Sequence, residues 1–146
     1  ALLNGRTINI RNPHAIRPWQ HVLEPLRGYL TLAEFLCTRG PEYAEGWNFG
    51  PVDEDAKPVS WIVDYVVKKW GRNAAWQDCA GEHPHEAAYL KLDISKARSR
   101  LGWRPLLGLQ EALDLIIDWA GQRQSAADVR ALTLAQINAY QKLMDS

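Results

Sequence analysis

The sequence predicts a small mixed α/β domain. Apolar residues recur at helical spacing in five or six stretches, and short runs with a two-residue alternation lie between them. These strands are too few for a complete doubly wound sheet. A chain of 146 residues is also long enough to bury one respectable core. We therefore expect residues 1–146 to form a single α/β domain.

The strand predictions depend on short alternating runs. Ile8 and Ile10 share one face of the first run, and Asn48 stands between two aromatic residues in the second. The third run follows Asn73 and contains Trp76. The predicted strands are 7–11, 47–51 and 74–78.

The helix predictions combine apolar periodicity with start and stop signals. Pro25 fits the first turn of one helix, Ser60 is expected to cap another, and Asp93 or Ser95 is expected to cap a third. Glycine follows the periodic residues at several predicted ends. The predicted helices are 22–38, 60–70, 95–101, 109–120 and 128–144, and the predicted terminating glycines are Gly40, Gly71, Gly102 and Gly121.

Composition excludes several classes of function. Lys plus Arg and Asp plus Glu number 17 each, so no net charge favours nucleic acid or an acidic membrane. No apolar run reaches the about 20 residues of a membrane span, and no signal peptide is apparent. Cys37 and Cys79 are expected to be buried thiols without a disulfide. These features predict a cytoplasmic protein.

Two clusters of potential metal ligands lack the pattern of a metal site. Residues 52–58 contain three carboxylates but no calcium-loop pattern, so we expect a solvated surface. His83 and His85 are separated by a proline that splays them, and no third ligand follows at a suitable spacing. We predict no metal site.

Residues 11–25 are the best candidate for a binding loop. Three prolines make the segment stiff without regular secondary structure. Arg17 can donate to two phosphate oxygens at once, and Trp19 offers a flat apolar surface. The loop therefore suits a phosphorylated small molecule. In the structural alternative, Arg17 pairs with a carboxylate such as Glu24, and Trp19 is part of the core.

The run Arg-Asn-Pro-His-Ala-Ile-Arg-Pro-Trp-Gln-His-Val-Leu-Glu-Pro in this loop resembles the CDP-glucose 4,6-dehydratase family, within the extended short-chain dehydrogenase/reductase superfamily. Three other stretches agree in order and spacing, at residues 46–51, 85–93 and 101–105. The resemblance extends to about Leu143 and covers only the carboxyl-terminal part of such an enzyme. The first five residues look like the end of a longer helix, which fits a fragment.

The resemblance implies a substrate-binding domain without the NAD-binding Rossmann part. By analogy, Arg17 binds the diphosphate of CDP-glucose, Asn48 and His85 hydrogen-bond the nucleotide sugar, and Ile8 and Ile10 flank the base. Relatives place an arginine where this chain has Glu82, which leaves Arg17 as the main phosphate ligand. Alternatively, Ile8 and Ile10 are simple core, and Asn48 caps the turn that follows it.

The residues needed for catalysis in this superfamily are not recognised in the chain. No Gly-x-x-Gly-x-x-Gly turn for NAD occurs. Tyr65 and Lys69 match the spacing of the catalytic tyrosine and lysine, but that pair lies upstream of the binding loop in the superfamily, so we interpret the match as accidental. NAD is therefore expected to bind the absent amino-terminal part, and we predict no catalytic residue here.

Three functions remain open from the sequence. The first is the substrate-binding part of a CDP-glucose 4,6-dehydratase, inactive alone. The second is the same part of another nucleotide-sugar dehydratase or epimerase. The third is a standalone ligand-binding or assembly module, with a homo-oligomer as one form and the last helix as a partner surface or a lid.

Overall fold

The computed structural model describes residues 1–79, 87–123, 125 and 128–144. Within them the chain forms four short strands and five α-helices. The strands are β1 (Ile8–Ile10), β2 (Ile16–Arg17), β3 (Lys57–Pro58) and β4 (Trp76–Asp78). The helices are α1 (Leu23–Arg39), α2 (Val59–Trp70), α3 (Ser95–Leu101), α4 (Leu109–Arg123) and α5 (Val129–Met144).

The strands form two separate ladders. β1 pairs in parallel with β4, and β2 pairs in antiparallel with β3. Helix α2 contacts both ladders through β3 and β4, and further contacts join α1 to α3, α2 to α4 and α4 to α5. The predicted small mixed α/β fold is confirmed.

One hydrophobic core lies between α1, α3 and the segment 46–51. Trp103 is 1% exposed, and its ring packs edge-on against Phe49 with 5.0 Å between centroids. The Arg27 guanidinium lies 5.5 Å from the centroid of the Trp103 ring. The buried members are Phe49, Ile94, Ala97, Leu101 and Trp103.

Gly28 allows α1 to approach this core closely. A Cβ atom at position 28 would overlap the Phe49 ring. We expect Gly28→Ala to lower the free energy of unfolding by about 1–3 kcal/mol because a packed core accepts added atoms poorly. Urea unfolding measures the change.

Gly121 provides the matched control for that substitution. It also lies within a helix, and a Cβ there meets nothing within 4 Å. Gly121→Ala should raise stability by up to about 1 kcal/mol because alanine favours a helix interior. Equal effects of the two substitutions would contradict the packing argument.

A second core lies between α2 and α4. Its buried residues are Ile62, Leu109 and Leu113, and Trp19, Trp61, Tyr65 and Val66 pack against it. The Asp55 Oδ2 atom accepts the Leu109 N–H at 3.1 Å and so satisfies a donor at the start of α4. At the other end of the turn, Asp53 forms an ion pair with Lys91 at 3.2 Å. The predicted acidic surface therefore also anchors neighbouring segments.

Glu24 joins α5 to the rest of the domain. Its carboxylate is fully buried and accepts the N–H groups of Leu106 and Leu107 at 2.9 and 2.8 Å. The Tyr140 hydroxyl of α5 donates to the other oxygen at 2.8 Å. Burial, together with the Glu24 carboxylate, raises the pKa of Tyr140 to about 12, so the hydroxyl keeps its proton.

Several local predictions differ from the structure. Residues 47–51 contain no strand, because they have no ladder partner among the described residues. Ser60 does not cap α2, which begins at Val59, and Gly121 does not end α4, which continues to Arg123. Cys37 is exposed and Cys79 is half-buried, so the expectation of two buried thiols is wrong, although the two cysteines form no disulfide.

Candidate functional site

The predicted binding loop is fixed to the start of α2. The first N–H groups of a helix have no partner within the helix. Here the N–H of Val59 donates to the Ala15 carbonyl at 3.0 Å, and that of Ser60 donates to the Pro13 carbonyl at 2.8 Å. These bonds hold the loop directly before Arg17.

Arg17 lies on β2 between two other segments. Its Nη1 atom donates to the Ile16 carbonyl at 2.8 Å, so part of the guanidinium is held by its own strand. Lys57 is its register partner on β3. Directly opposite residues of an antiparallel pair point to the same face. Two half-buried cations therefore share this face, which suits a ligand with two negative charges.

The opposite edge of β2 meets the segment that follows residue 86. The Ile16 N–H donates to the Ala88 carbonyl at 2.9 Å, and the Leu90 N–H donates to the Ile16 carbonyl at 3.2 Å. Nearby, the hydrogen bonds that Lys91 donates to Tyr89 and Asp53 raise the pKa of Lys91, which keeps it protonated. Three segments therefore lie side by side around Arg17, namely β3, β2 and residues 88–90.

Asn48 is exposed, and its amide bridges to another part of the chain. Its Nδ2 atom donates to the Asp93 carbonyl at 3.2 Å, so it does not cap the turn that follows. The Ser95 N–H donates to Asp93 Oδ1 at 2.8 Å and lowers the pKa of Asp93. The role of Asn48 in substrate binding stays a prediction.

Gln20 connects the binding loop to the Asn48 segment. Its Nε2 atom donates to the Phe49 carbonyl at 2.8 Å. Its Oε1 atom is buried without a partner among the described residues. The sequence showed Gln20 only as one more polar residue of the loop, and nothing in its spacing indicated this bridge.

Ile8 and Ile10 lie half-buried on one face of β1. Their register partners on β4 are Trp76 and Asp78, and the Trp76 Nε1 atom donates to Asp64 of α2 at 2.7 Å. The exposed face of the same ladder carries Asn9 and Gln77. The contacts of Ile8 and Ile10 with a base stay a prediction. The prediction for His85 lies outside the described residues.

The described residues offer no group of three or more His, Cys, Asp or Glu side chains suited to a metal ion. None of the helices there combines the length and apolar character that a membrane crossing requires.

Comparison with known proteins decides the family resemblance. No protein-family model matches the chain. CDP-glucose 4,6-dehydratase from Salmonella typhimurium is 57% identical over 137 residues, which cover 94% of this chain. The resemblance to CDP-glucose 4,6-dehydratase is confirmed. The chain spans 38% of the length of that dehydratase, in its carboxyl-terminal part.

Tyr65 and Lys69 of α2 both bind the Asp114 carboxylate of α4. The Tyr65 hydroxyl donates to Asp114 Oδ1 at 2.8 Å, and Lys69 pairs with Oδ2 at 3.0 Å. Burial and the Asp114 carboxylate raise the pKa of Tyr65. A tyrosine that serves as a base needs a lowered pKa. The pair therefore links α2 to α4.

Trp19 also has a structural role in this chain. Its Nε1 atom donates to the Lys57 carbonyl at 3.0 Å, and its ring packs against the core of Ile62, Leu109 and Leu113. Of the two roles considered for Trp19, a ligand surface or part of the core, its position in the structure agrees with the core. The structural alternative for Arg17 was an ion pair with Glu24. The Glu24 carboxylate instead accepts hydrogen bonds from the N–H groups of Leu106 and Leu107 and from the Tyr140 hydroxyl.

An apolar groove of about 440 Å³ lies between the start of α1, α4 and α5. His21, Leu26, Ile116, Trp119 and Ile137 are among its lining residues. His21 is 5% exposed, and its Nδ1 atom accepts the Leu23 N–H at 3.3 Å. Burial lowers the pKa of His21 more than Glu24 raises it.

We expect the stability of the chain to fall in mild acid because of His21. The folded state binds fewer protons than the unfolded state near the ordinary histidine pKa of about 6.5. The free energy of unfolding is therefore unaffected by His21 above about pH 6.5. It decreases as the pH falls from this value toward the lower pKa that His21 has in the folded state. Urea unfolding at pH 7.5 and 5.5 measures the loss.

Two histidine variants test this assignment. His21→Gln should reduce the pH dependence, whereas His14→Gln should retain it because His14 is exposed. The same pH dependence in both variants would contradict the role of His21.

Proposed function

We propose that this chain is the substrate-binding part of a cytoplasmic CDP-glucose 4,6-dehydratase. The carrying observation is its 57% identity to the Salmonella typhimurium enzyme. The positions of Arg17 and Lys57 on one face of the β2–β3 ladder also support a diphosphate ligand. The complete enzyme converts CDP-glucose to CDP-4-dehydro-6-deoxyglucose and water, whereas the chain alone does not turn over substrate.

In the proposed reaction, C4 of the sugar is oxidised to a ketone, a proton leaves C5 and a hydroxyl group leaves C6 as water, and C6 and C5 are then reduced. The amino-terminal part of the enzyme would hold NAD, which would supply the hydride acceptor for C4 and the hydride donor for C6, while C5 would regain a proton. The residues of this chain bind and orient the substrate during these stages.

Each predicted residue has a distinct part in this proposal. Arg17 neutralises the diphosphate, with Lys57 supplying a second positive charge on the same face. Asn48 and His85 hydrogen-bond the nucleotide sugar. Ile8 and Ile10 flank the base.

A titration of the 146-residue chain with CDP tests the diphosphate site. Hydrogen bonds to charged groups contribute about 1.5–3 kcal/mol, so Arg17→Ala should weaken CDP binding about 10-fold to 100-fold. Arg130→Ala should bind CDP as the unchanged chain does, because Arg130 is exposed on α5. Isothermal titration calorimetry gives both dissociation constants. Equal binding by the two variants would remove Arg17 from the site.

The same titration with UDP, GDP and dTDP tests the identity of the base. A clear preference for CDP supports the dehydratase assignment, and a clear preference for UDP would favour another nucleotide-sugar enzyme. Sedimentation with and without CDP addresses the assembly alternative. A tight oligomer that binds no nucleotide would overturn the proposed function.

A further inference from the structure

The indole of Trp19 joins the two segments that carry the cations of the candidate site. Its Nε1 atom donates to the Lys57 carbonyl at 3.0 Å, across 38 positions of the chain. Its backbone N–H donates to the Arg17 carbonyl at 3.0 Å, so Trp19 is bonded to both cationic residues. Pro18 lies between Arg17 and Trp19 and has a fixed φ, which makes this three-residue turn stiff.

The ladder that places Lys57 opposite Arg17 is short. β2 and β3 contain two residues each, and Pro58 of β3 has no N–H to donate. The two strands are also distant in the sequence, so bringing them together costs loop-closure entropy. A bond outside the ladder therefore matters for the position of Lys57, and the Trp19 indole provides one.

The hydrophobic core holds the Trp19 ring in the orientation that this bond requires. The ring is half-buried and packs against three buried residues of α2 and α4, namely Ile62, Leu109 and Leu113. A side chain that packing keeps in one rotamer positions its partner more precisely than a mobile surface side chain does. The indole N–H thus fixes the main chain of Lys57 relative to the two helices.

The Lys57 ammonium group is available to an anion. It is half-buried, and no acceptor for it is recorded in the part of the chain that the structure describes. Removing water from a charge without supplying a partner is unfavourable. Like charges directly opposite each other also destabilise an antiparallel pair, as Lys57 and Arg17 do in this ladder. Phosphate oxygens between the two side chains would remove both costs.

We propose that Trp19 is a positioning residue for the diphosphate site and that it sets the preference for a diphosphate over a monophosphate. Its indole N–H holds the main chain of Lys57, which keeps the Lys57 ammonium beside the Arg17 guanidinium. A diphosphate has one phosphoryl group for each cation, whereas the second cation adds less to the binding of a single phosphoryl group. Trp19 acts through Lys57 and does not contact the ligand. This inference rests on the proposed function.

Calorimetric titration of the 146-residue chain with CDP and with CMP tests the inference. Trp19→Phe keeps an aromatic ring in the core but removes the N–H that the Lys57 carbonyl accepts. Loss of a charged hydrogen bond weakens binding about 10-fold to 100-fold. Because the variant displaces the Lys57 ammonium without removing it, we expect CDP to bind about 3-fold to 10-fold more weakly and CMP to bind nearly as before.

Trp61→Phe is the matched control. Trp61 packs against the same core and stacks on Tyr65 with 5.5 Å between ring centroids. Its indole N–H donates to no residue that the structure describes, so this variant loses ring area but no bond to Lys57. It should keep the ratio of CDP affinity to CMP affinity of the unchanged chain. The same ratio in Trp19→Phe and Trp61→Phe would overturn the inference.

A double-mutant cycle separates positioning from a general effect on the fold. Lys57→Met removes the ammonium and should by itself reduce the preference for CDP. In that background Trp19→Phe should change the ratio no further, because the group that Trp19 positions is absent. A further loss of the same size would contradict the inference, since Trp19 would then act on the fold or on the ligand directly. Thermal unfolding checks that each variant is folded.

Failure of this inference differs from failure of the proposed function. An unchanged chain that binds neither CDP nor CMP would overturn the proposed function. A chain that prefers CDP, with Trp19→Phe equally selective, would overturn only the role of Trp19.

Discussion

Replacing Glu24 by alanine is expected to lower the free energy of unfolding by about 3–5 kcal/mol. The substitution leaves the N–H groups of Leu106 and Leu107 without their acceptor and removes the acceptor of the Tyr140 hydroxyl. Glu24 and Tyr140 are buried, and Leu106 and Leu107 are half-buried, so water replaces the lost bonds only in part. Urea unfolding monitored by tryptophan fluorescence measures the change.

Two further variants of α1 separate this effect from a general effect on the helix. Glu24→Gln should cost only about 1–2 kcal/mol, because the amide oxygen can still accept the two backbone N–H groups. Glu34→Ala should change stability by less than about 0.5 kcal/mol, since Glu34 is exposed on the same helix. A Glu24→Ala variant as stable as Glu34→Ala would refute the role of the buried carboxylate.

Replacing Trp103 by alanine is expected to lower the free energy of unfolding by about 3–5 kcal/mol. The indole is 1% exposed and contacts Phe49 on one side and the Arg27 guanidinium on another. Removing it creates a cavity at the centre of the core between α1 and α3. Thermal and urea unfolding both report the loss.

Trp103→Phe distinguishes the ring from its polar atom. The Trp103 Nε1 atom has no hydrogen-bond partner in the described part of the chain. Phenylalanine therefore removes a buried donor that contributes no bond, while it keeps an aromatic surface for Phe49. We expect this variant to be at least about 1.5 kcal/mol more stable than Trp103→Ala. Equal losses would indicate that the indole nitrogen has a partner.

The sequence predicted the helices well because their signals are local. Apolar periodicity and the glycines at positions 40, 71 and 102 defined the helix positions and three of the ends. Gly121 gave a wrong helix end because a glycine can also lie within a helix and adopt the ordinary helical conformation, as it does in α4. Ser60 misled because the carbonyls of Pro13 and Ala15 satisfy the start of α2 instead of a side chain.

The prediction of a strand at residues 47–51 was wrong for a different physical reason. Its sequence favours a strand, but a strand also needs a ladder partner, and the described residues provide none. Local preference was therefore insufficient. The same limit applied to Glu24, whose partners lie 82 to 116 residues away and whose burial no local pattern indicated.

The sequence predicted candidate site residues but not their arrangement, and their roles stay predictions. The sequence and the family resemblance selected Arg17, but Lys57 joined it only through the register of two short strands. Trp19 was interpreted as a ligand surface because it is a flat apolar residue in an otherwise polar loop. Its hydrogen bond to the Lys57 carbonyl and its core contacts depend on α2 and α4, which the loop sequence does not reveal.

The bond between Tyr140 and Glu24 has a consequence for biosynthesis. The two residues are 116 positions apart. At a translation rate of about 5–20 residues per second, the ribosome therefore needs about 6–23 s to add Tyr140 after Glu24. During that interval the Glu24 carboxylate of the nascent chain lacks the Tyr140 hydroxyl that binds it in the folded state. Early folding intermediates on the ribosome should consequently remain loosely packed around the first helix, and chaperones would encounter the chain there.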